Sequence, residues 1–473
     1  MKKSINRLSI ITAIIFLLQG CTKSFLDQTP SNQILINQAL TTVPLMQTAL
    51  NGAYALLRSV SLYGRDLPIC GDLQADNTYV EAENTGRYLD QYQYTVISTD
   101  GISQEIWQTA YTGILAANQI INDTLTADGS APIKAQAYAI RALLYFKLVN
   151  IYARPYTDDP TALGVPIVLQ YNPFALPARN TVGEVYNQII SDFKAALPDA
   201  PAYSSSVTLS QYAIEALLAR AYLYEGDNAD AKAAAVDVIN NSGFKLVSRN
   251  NLVAFWKNPA NQTNQVEVMF EIDADGVNNN GFDDLGGMYI NGYDDIYCSY
   301  QLYDLYNSTD VRSKLLLSGY TKGGYPAIVV NKFPNAENPS DRDNLKVIRL
   351  AEVYLIAAEA SLPGNESDAK LYLNDLMAQR DPSLVYSSTG AQLLSDIVQE
   401  RRKELAFEGD RLYDLNRLKL PVDRADNGPG ALPAGLNNIN LYIPYSDYRR
   451  ISPIPDVEIQ ANPNIAKQQN PGY

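Results

Sequence analysis

Paired carboxylates are the first residues of this sequence that could do chemistry. Asp283-Asp284 and Asp294-Asp295 are candidates for the two acidic groups with which glycoside hydrolysis brackets a scissile bond. Glu400, Glu404 and Glu408 recur at successive helical turns, but Arg401, Arg402 and Arg411 stand among them. That mixture predicts a salt-bridged helix rather than an acid and base pair. The Gly and Asn neighbours of the Asp pairs predict loop caps or a bound cation instead. Asp273-Ala274-Asp275-Gly276 begins like a calcium loop, yet its glycine comes two positions early and no Glu stands at the twelfth place. An EF-hand is not supported, and only a looser structural calcium site within 273–284 stays open. The chain contains no histidine, which removes Ser-His-Asp and Cys-His nucleophiles and every His-ligated zinc or haem site. The expectation is a protein with no catalytic residues, no metal ligands and no required cofactor.

Tyrosine points toward binding. The chain holds 33 Tyr against 11 Phe and 2 Trp, a large excess of rings that combine an apolar face with a wet hydroxyl. Sugars present patches of C–H that pack on ring faces, while their hydroxyls need Asn, Asp, Gln or Arg partners nearby. Three stretches bring both types together. Tyr289, Tyr293 and Tyr297 accompany Asn291, Asp294 and Asp295; Tyr79 and Tyr88 accompany Asp76, Asn77 and Arg87; Trp256 stands beside Lys257 and Asn258. The residues expected to touch carbohydrate are Asn77, Tyr79, Arg87, Trp256, Tyr289 and Tyr293. Tyr300, Tyr303 and Tyr306 follow at a helical spacing of three and read as a buried face, as does Trp107 within a helix that continues through Gln108, Tyr111 and Leu115.

These residues need a frame. A chain of 473 residues that is 46% hydrophobic can bury one large or two medium cores. Its formal charge of -14 repels phosphate backbones, so nucleic acid is not an expected partner. Ile140, Leu143, Leu144, Leu148 and Ile151 fall on one helical face within 132–152, and Val182, Val185, Ile189, Phe193 and Leu197 do so after Thr181, which forms a capping box with Glu184. Two hairpins share their landmarks. Leu218 and Ala219 precede Gly226, then Ala231, Ala235 and Val238; Ile356 and Ala357 precede Gly364, then Ala369, Leu373 and Leu376. Small residues let antiparallel helices approach, with glycine ending the first helix in a left-handed conformation. The offsets match the tetratricopeptide pattern, whose hairpins must stack to bury their apolar stripes. The predicted fold is therefore mostly α, a tetratricopeptide-like scaffold of about four helix pairs with inserted loops and small β elements. The pair within 132–197 and a helix over 393–407 would join the stack. The inserted regions, around 70–97 and 255–344, are rich in Gly, Asn, Asp and Tyr, with alternating runs such as 88–94 that read as loops and small strands.

Lys2, Lys3 and Arg7 precede an apolar stretch over 8–18 that is too short to span a bilayer. Residues 1–20 read as an export signal, and residues 21–473 as the mature domain. Leu18-Gln19-Gly20-Cys21 resembles the bacterial lipobox, which implies acylation of Cys21 and a membrane anchor without a spanning helix.

The C-terminal half carries a more specific resemblance. Lys346 to Ala360 reads KVIRLAEVYLIAAEA, Glu400 to Leu415 reads ERRKELAFEGDRLYDL, and the chain closes with Pro453-Ile454-Pro455 and Asn462-Pro463-Asn464. Near the front stand Phe25-Leu26-Asp27, then Trp107, Tyr111 and Asn118. This wording resembles the SusD/RagB family of Bacteroidetes outer-membrane lipoproteins along essentially the whole mature chain. The resemblance implies a tetratricopeptide-like scaffold and a non-enzymatic protein at the cell exterior. It also implies that the protein binds a glycan, or in some relatives a peptide, and serves a SusC-like TonB-dependent transporter.

Overall fold

Apolar residues at helical spacing, punctuated by caps, build most of the chain. The computed structural model describes residues 40–473 apart from 173, 363, 426 and 432–440; the export signal and Cys21 lie outside the described residues. Among the described residues nine helices run for eleven residues or more: α1 (Val43–Leu57), α2 (Gly101–Ile121), α3 (Ser130–Tyr152), α4 (Val182–Ala196), α5 (Gln211–Glu225), α6 (Asn228–Asn241), α7 (Leu350–Ala360), α8 (Glu366–Ala378) and α9 (Gly390–Leu405). From α2 to α8 each packs on the next, α1 lies against α2 and α3, and α9 lies against α7. The hairpins α3/α4, α5/α6 and α7/α8, preceded by the packed pair α1/α2, make the about four pairs that the hairpin spacing predicts, and α9 joins the stack against α7. No helix among the described residues is long and apolar enough to cross a membrane.

Local chemistry explains the boundaries. Thr181 and Glu184 form the expected capping box at the start of α4. Gly226 closes α5 at φ 89°, a left-handed position that costs a glycine nothing. Its counterpart Gly364 has no left-handed φ; α7 ends at Ser361, and the Asn365 side chain caps α8 by accepting from Asp368 N–H. The hairpin forms in either case, because Leu355 and Ala358 of α7 pack with Ala369 and Leu373 of α8 in one buried cluster, while Ala357 faces the main core. Helix α3 is buried on almost every face. It encloses Arg141, whose guanidinium donates to both oxygens of Asp192 on α4 at 2.8 and 2.6 Å and to Asn118 on α2 at 2.7 Å.

The β elements are short antiparallel pairs. They are β1 (Thr78–Val80) with β3 (Ile296–Cys298), β2 (Val268–Ile272) with β6 (Leu345–Arg349), the hairpin β4 (Leu316–Lys322) with β5 (Tyr325–Val330), and β7 (Val422–Asp423) with β8 (Tyr442–Ile443). Residues 88–94 differ from the expected strand. Leu89–Gln93 is one helical turn, flanked by Tyr88 and Tyr94 at left-handed φ. Seven residues do not separate the two periods, and burial of the adjacent Gln91 and Tyr92 with Asp90 exposed fits a helical turn rather than alternation.

Candidate functional site

The acidic residues that opened the sequence reading are held by protein partners. On α9, Glu404 accepts from Arg349, Arg380 and Arg312 at 2.9 to 3.2 Å, and Glu400 accepts from Arg312 at 2.5 Å and Lys403 at 2.8 Å. Arg401 bonds Asp414 and Glu352, and Glu408 takes Lys332 and Arg349. The helix is salt-bridged as expected, but through distant elements and in a buried setting. Asp294 pairs with Lys322 at 3.4 Å, buried Asp295 accepts from Thr85 N–H at 3.0 Å, Asp283 accepts from Arg65 at 2.5 Å, and Asp284 accepts from Asn280 N–H at 2.9 Å. Asp275 caps its own turn through Val277 and Asn278 N–H. Among the described residues no three Cys, Asp or Glu side chains gather as a metal site.

Four of the six expected carbohydrate contacts face inward, which corrects the expectation of displayed side chains. Tyr79 on β1 is fully buried and stacks on Tyr297 at 5.9 Å. Tyr289 is fully buried, stacked on Phe333 at 6.2 Å and edge-on to Phe407 at 5.8 Å; burial pushes its phenol well above the usual range. Trp256 lies in the short helix Leu252–Lys257, with the Lys332 ammonium 4.2 Å and the Lys346 ammonium 4.8 Å from its ring centre. Its polar sequence neighbours suggested a loop, whereas the structure surrounds the ring with buried cations, a favourable use of its electron-rich face. Asn77 donates to Asp72 at 2.5 Å and accepts from Arg402 at 2.9 Å. It joins the frame to α9.

The other two come together at the surface. The Arg87 guanidinium lies 3.5 Å from the centre of the Tyr293 ring. The Tyr293 hydroxyl donates to Asp283 at 3.2 Å, and Arg65 bridges Asp283 to buried Asp66. Tyr88 secures this base by donating to Asp66, so the strained left-handed backbone at Tyr88 is over-determined by its own ring. Positive φ at Asn291 and Asp294 bends the loop that carries Tyr293, and short polar side chains tolerate that conformation. Gly287 accepts from Tyr293 N–H at 2.6 Å. A Cβ at Gly287 would stand 2.1 Å from the carbonyl oxygen of Phe282, so this turn admits only glycine.

The hairpin supplies rings that the sequence reading did not select. Register pairs Lys322 with Tyr325 and Tyr320 with Ala327, placing Tyr320, Lys322 and Tyr325 on one face. Lys322 reaches Asp294 beside Tyr293. Tyr320 and Tyr325 are 52% and 49% exposed, and Phe282 next to Asp283 is 58% exposed. The signal was present in Gly323-Gly324, a two-residue hairpin turn flanked by tyrosines. The result is a surface of exposed rings with a guanidinium and carboxylates between them, able to pack on C–H faces and exchange hydrogen bonds with hydroxyls.

Comparison with known proteins agrees with this architecture. Residues 24–223 match the family described as "Starch-binding associating with outer membrane", and residues 319–473 match the one described as "SusD family". A SusD superfamily protein of Bacteroides thetaiotaomicron is 32% identical with a TM-score of 0.82, over 91% of this chain and 100% of that one. A Bacteroides vulgatus protein provisionally described as sugar binding is 32% identical with a TM-score of 0.81, over 92% and 99%. SusD-like protein P2 of Formosa agariphila is 29% identical over 98% of this chain and 99% of its own length. A shared scaffold, matches at both ends of the chain and identity sustained over its length lead to one conclusion: this chain belongs to the SusD/RagB family.

Proposed function

We propose that the protein is a lipid-anchored glycan receptor on the outer membrane. In this reading Cys21 carries the anchor, and the surface around Arg87 and Tyr293 captures oligosaccharide or polysaccharide and hands it to a SusC-like TonB-dependent transporter without chemical change. The observation that carries the reading is the half-buried Arg87 and Tyr293 stack beside Asp283, with exposed Tyr320 and Tyr325 on the neighbouring hairpin face. The starch-binding description of the matching family supports the same ligand class.

Affinity gel electrophoresis on a panel of neutral and acidic polysaccharides tests it. The Arg87→Ala/Tyr293→Ala variant should bind its glycan about tenfold or more weakly, the equivalent of roughly 1.4 kcal/mol. Its thermal midpoint should fall by only about three degrees, since both side chains are half-buried at the edge of the core rather than within it. Titration against oligopeptides separates the alternative ligand of this architecture; heat evolved with peptides only would replace the glycan reading. Release of reducing ends, lost in Asp294→Ala, would instead make the protein a hydrolase.

A further inference from the structure

A cleft of about 610 Å³ opens along α1, and none of its lining residues belongs to the Arg87 and Tyr293 stack. Gln47, Asn51, Tyr54 and Arg58 line it and recur at intervals of three or four, so they form one face of the helix. The opposite side is made by Thr208, Asp273 and Asn278.

Its floor is pre-formed. The Tyr54 hydroxyl donates to Gln136 at 2.8 Å and accepts from Leu209 N–H at 3.0 Å, and its ring packs 6.0 Å from Phe270. The ring is therefore fixed without a ligand. Above it the polar groups are only half used. Gln47 donates to Asn51 at 2.9 Å, and whichever way the two amides are assigned, one carbonyl and one NH₂ are left over. Arg58 donates through Nη1 to the Asp273 carbonyl at 3.1 Å; among the described residues its other nitrogens have no acceptor, and the Thr208 hydroxyl has no side-chain partner. Asn278 donates to Asp275 at 3.0 Å and keeps its own oxygen free. A fixed ring surrounded by unspent donors and acceptors is the combination a sugar unit requires.

Charge narrows the ligand. Arg58 lies among acidic groups: burial raises the carboxyls of Asp273 and Asp284 and Arg58 only partly offsets it, hydrogen bonds from Asn278 and Val277 hold Asp275 low, and Glu271 also lines the cleft. A sulfate or uronate would meet those carboxylates together with the overall negative charge. The two surfaces also share a segment. The stretch that brings Asp273 and Asn278 to this cleft continues to Asn280, which donates to the Arg58 carbonyl at 3.0 Å, and to Asp283 under Tyr293.

We infer that the α1 cleft is a second saccharide site that takes neutral sugar units. The inference rests on the glycan reading proposed above. Four proteins test it: wild type, Arg87→Ala/Tyr293→Ala, Gln47→Ala/Asn51→Ala, and Asn51→Trp, which fills the cleft. Gln47 and Asn51 are exposed on a helix, where alanine is a strong helix former, so the alanine pair keeps the fold. The probes are starch, laminarin, xylan and galactomannan as neutral polymers, and alginate and pectin as acidic ones, in affinity gels and titration calorimetry. Loss of two hydrogen bonds should weaken neutral-polymer binding by about tenfold, and Asn51→Trp should weaken it at least as much. Unchanged affinity in both cleft variants, with loss in Arg87→Ala/Tyr293→Ala, overturns the second site and leaves the glycan reading intact. Retention of acidic polymers alone overturns the neutral class. Loss confined to the cleft variants upholds the inference and displaces the first site instead. Failure of every polysaccharide to bind overturns the inference together with the reading on which it rests.

Discussion

Tyr289 and Tyr293 lie four residues apart, carry the same side chain and serve opposite ends. Tyr293 places its ring at the surface under Arg87, while Tyr289 is sealed against Phe333 and Phe407. Among the described residues the Tyr289 hydroxyl is buried without a hydrogen-bond partner, so its desolvation is uncompensated. Tyr289→Phe is therefore expected to leave the urea midpoint unchanged or raise it. Tyr289→Ala should lower stability by about 3–5 kcal/mol, the usual cost of emptying an aromatic core position. A second residue-scale prediction concerns Gly52, in the middle of α1, where an added Cβ would meet nothing within 4 Å. Gly52→Ala should stabilise the protein by roughly 0.5–1 kcal/mol, read as a shift of the chemical denaturation midpoint without a change in slope.

At the scale of elements, short turns aim the binding surface. The turn over Leu285–Tyr289 is built on Gly287, whose missing side chain leaves room for the Phe282 carbonyl and whose own carbonyl receives Tyr293 N–H. Gly287→Ala should destabilise by about 1–3 kcal/mol through overpacking and weaken glycan binding as well, because the backbone that carries Tyr293 must shift. A fold that melts earlier but binds unchanged would separate the turn from the site. The capping box at Thr181 was read directly, because it depends on contacts within a few residues; the Gly323-Gly324 turn is equally local but was not selected among the Gly-rich loops of 255–344. The residues 88–94 were not. Their helical turn follows from which rings find a core, and the partners of those rings lie far along the chain: Asp66 holds Tyr88, and Arg424 and Asn427 hold Tyr92.

At the scale of the whole molecule, buried ion pairs tie the helical stack to the inserted regions. Asp76 is 3% exposed. Burial raises its carboxyl, but the guanidiniums of Arg411 and Arg402 outweigh that and hold it at about 2. Glu404 and Glu408 are lowered as well, burial again being overcome by arginine. These folded-state values lie below the unfolded ones, so the stability they contribute is complete above about pH 4.5 and is lost as pH falls through the folded values. Asp76 alone accounts for about 2 kcal/mol. Urea midpoints measured from pH 7 to pH 2 should first rise, because burial lifts Asp72 to about 7 and Asp343 to about 6 and the folded state takes up their protons before the unfolded chain does. They should then fall steeply below about pH 4 as Asp76, Glu404 and Glu408 are protonated. Glu404→Gln, which leaves Arg349, Arg380 and Arg312 short of their counter-charge, should cost about 3–5 kcal/mol at pH 7 and flatten part of that acid transition.

From residue types and spacing came the helical stack, the hairpin landmarks and the tyrosine excess; the wording of 346–360 and 400–415 carried the resemblance to a known family. Periodicity and caps are properties of neighbours in the chain, and they need no knowledge of what lies opposite. Which tyrosines would be displayed was not determined there. Tyr79, Tyr289 and Trp256 read like Tyr293 in their local surroundings, and only packing against Tyr297, Phe333 and buried lysines removed them from the surface. The tertiary structure alone decided the pairing of Arg87 with Tyr293, separated by more than 200 residues, and the α1 cleft, because a ring becomes a binding face only where the rest of the chain leaves it uncovered.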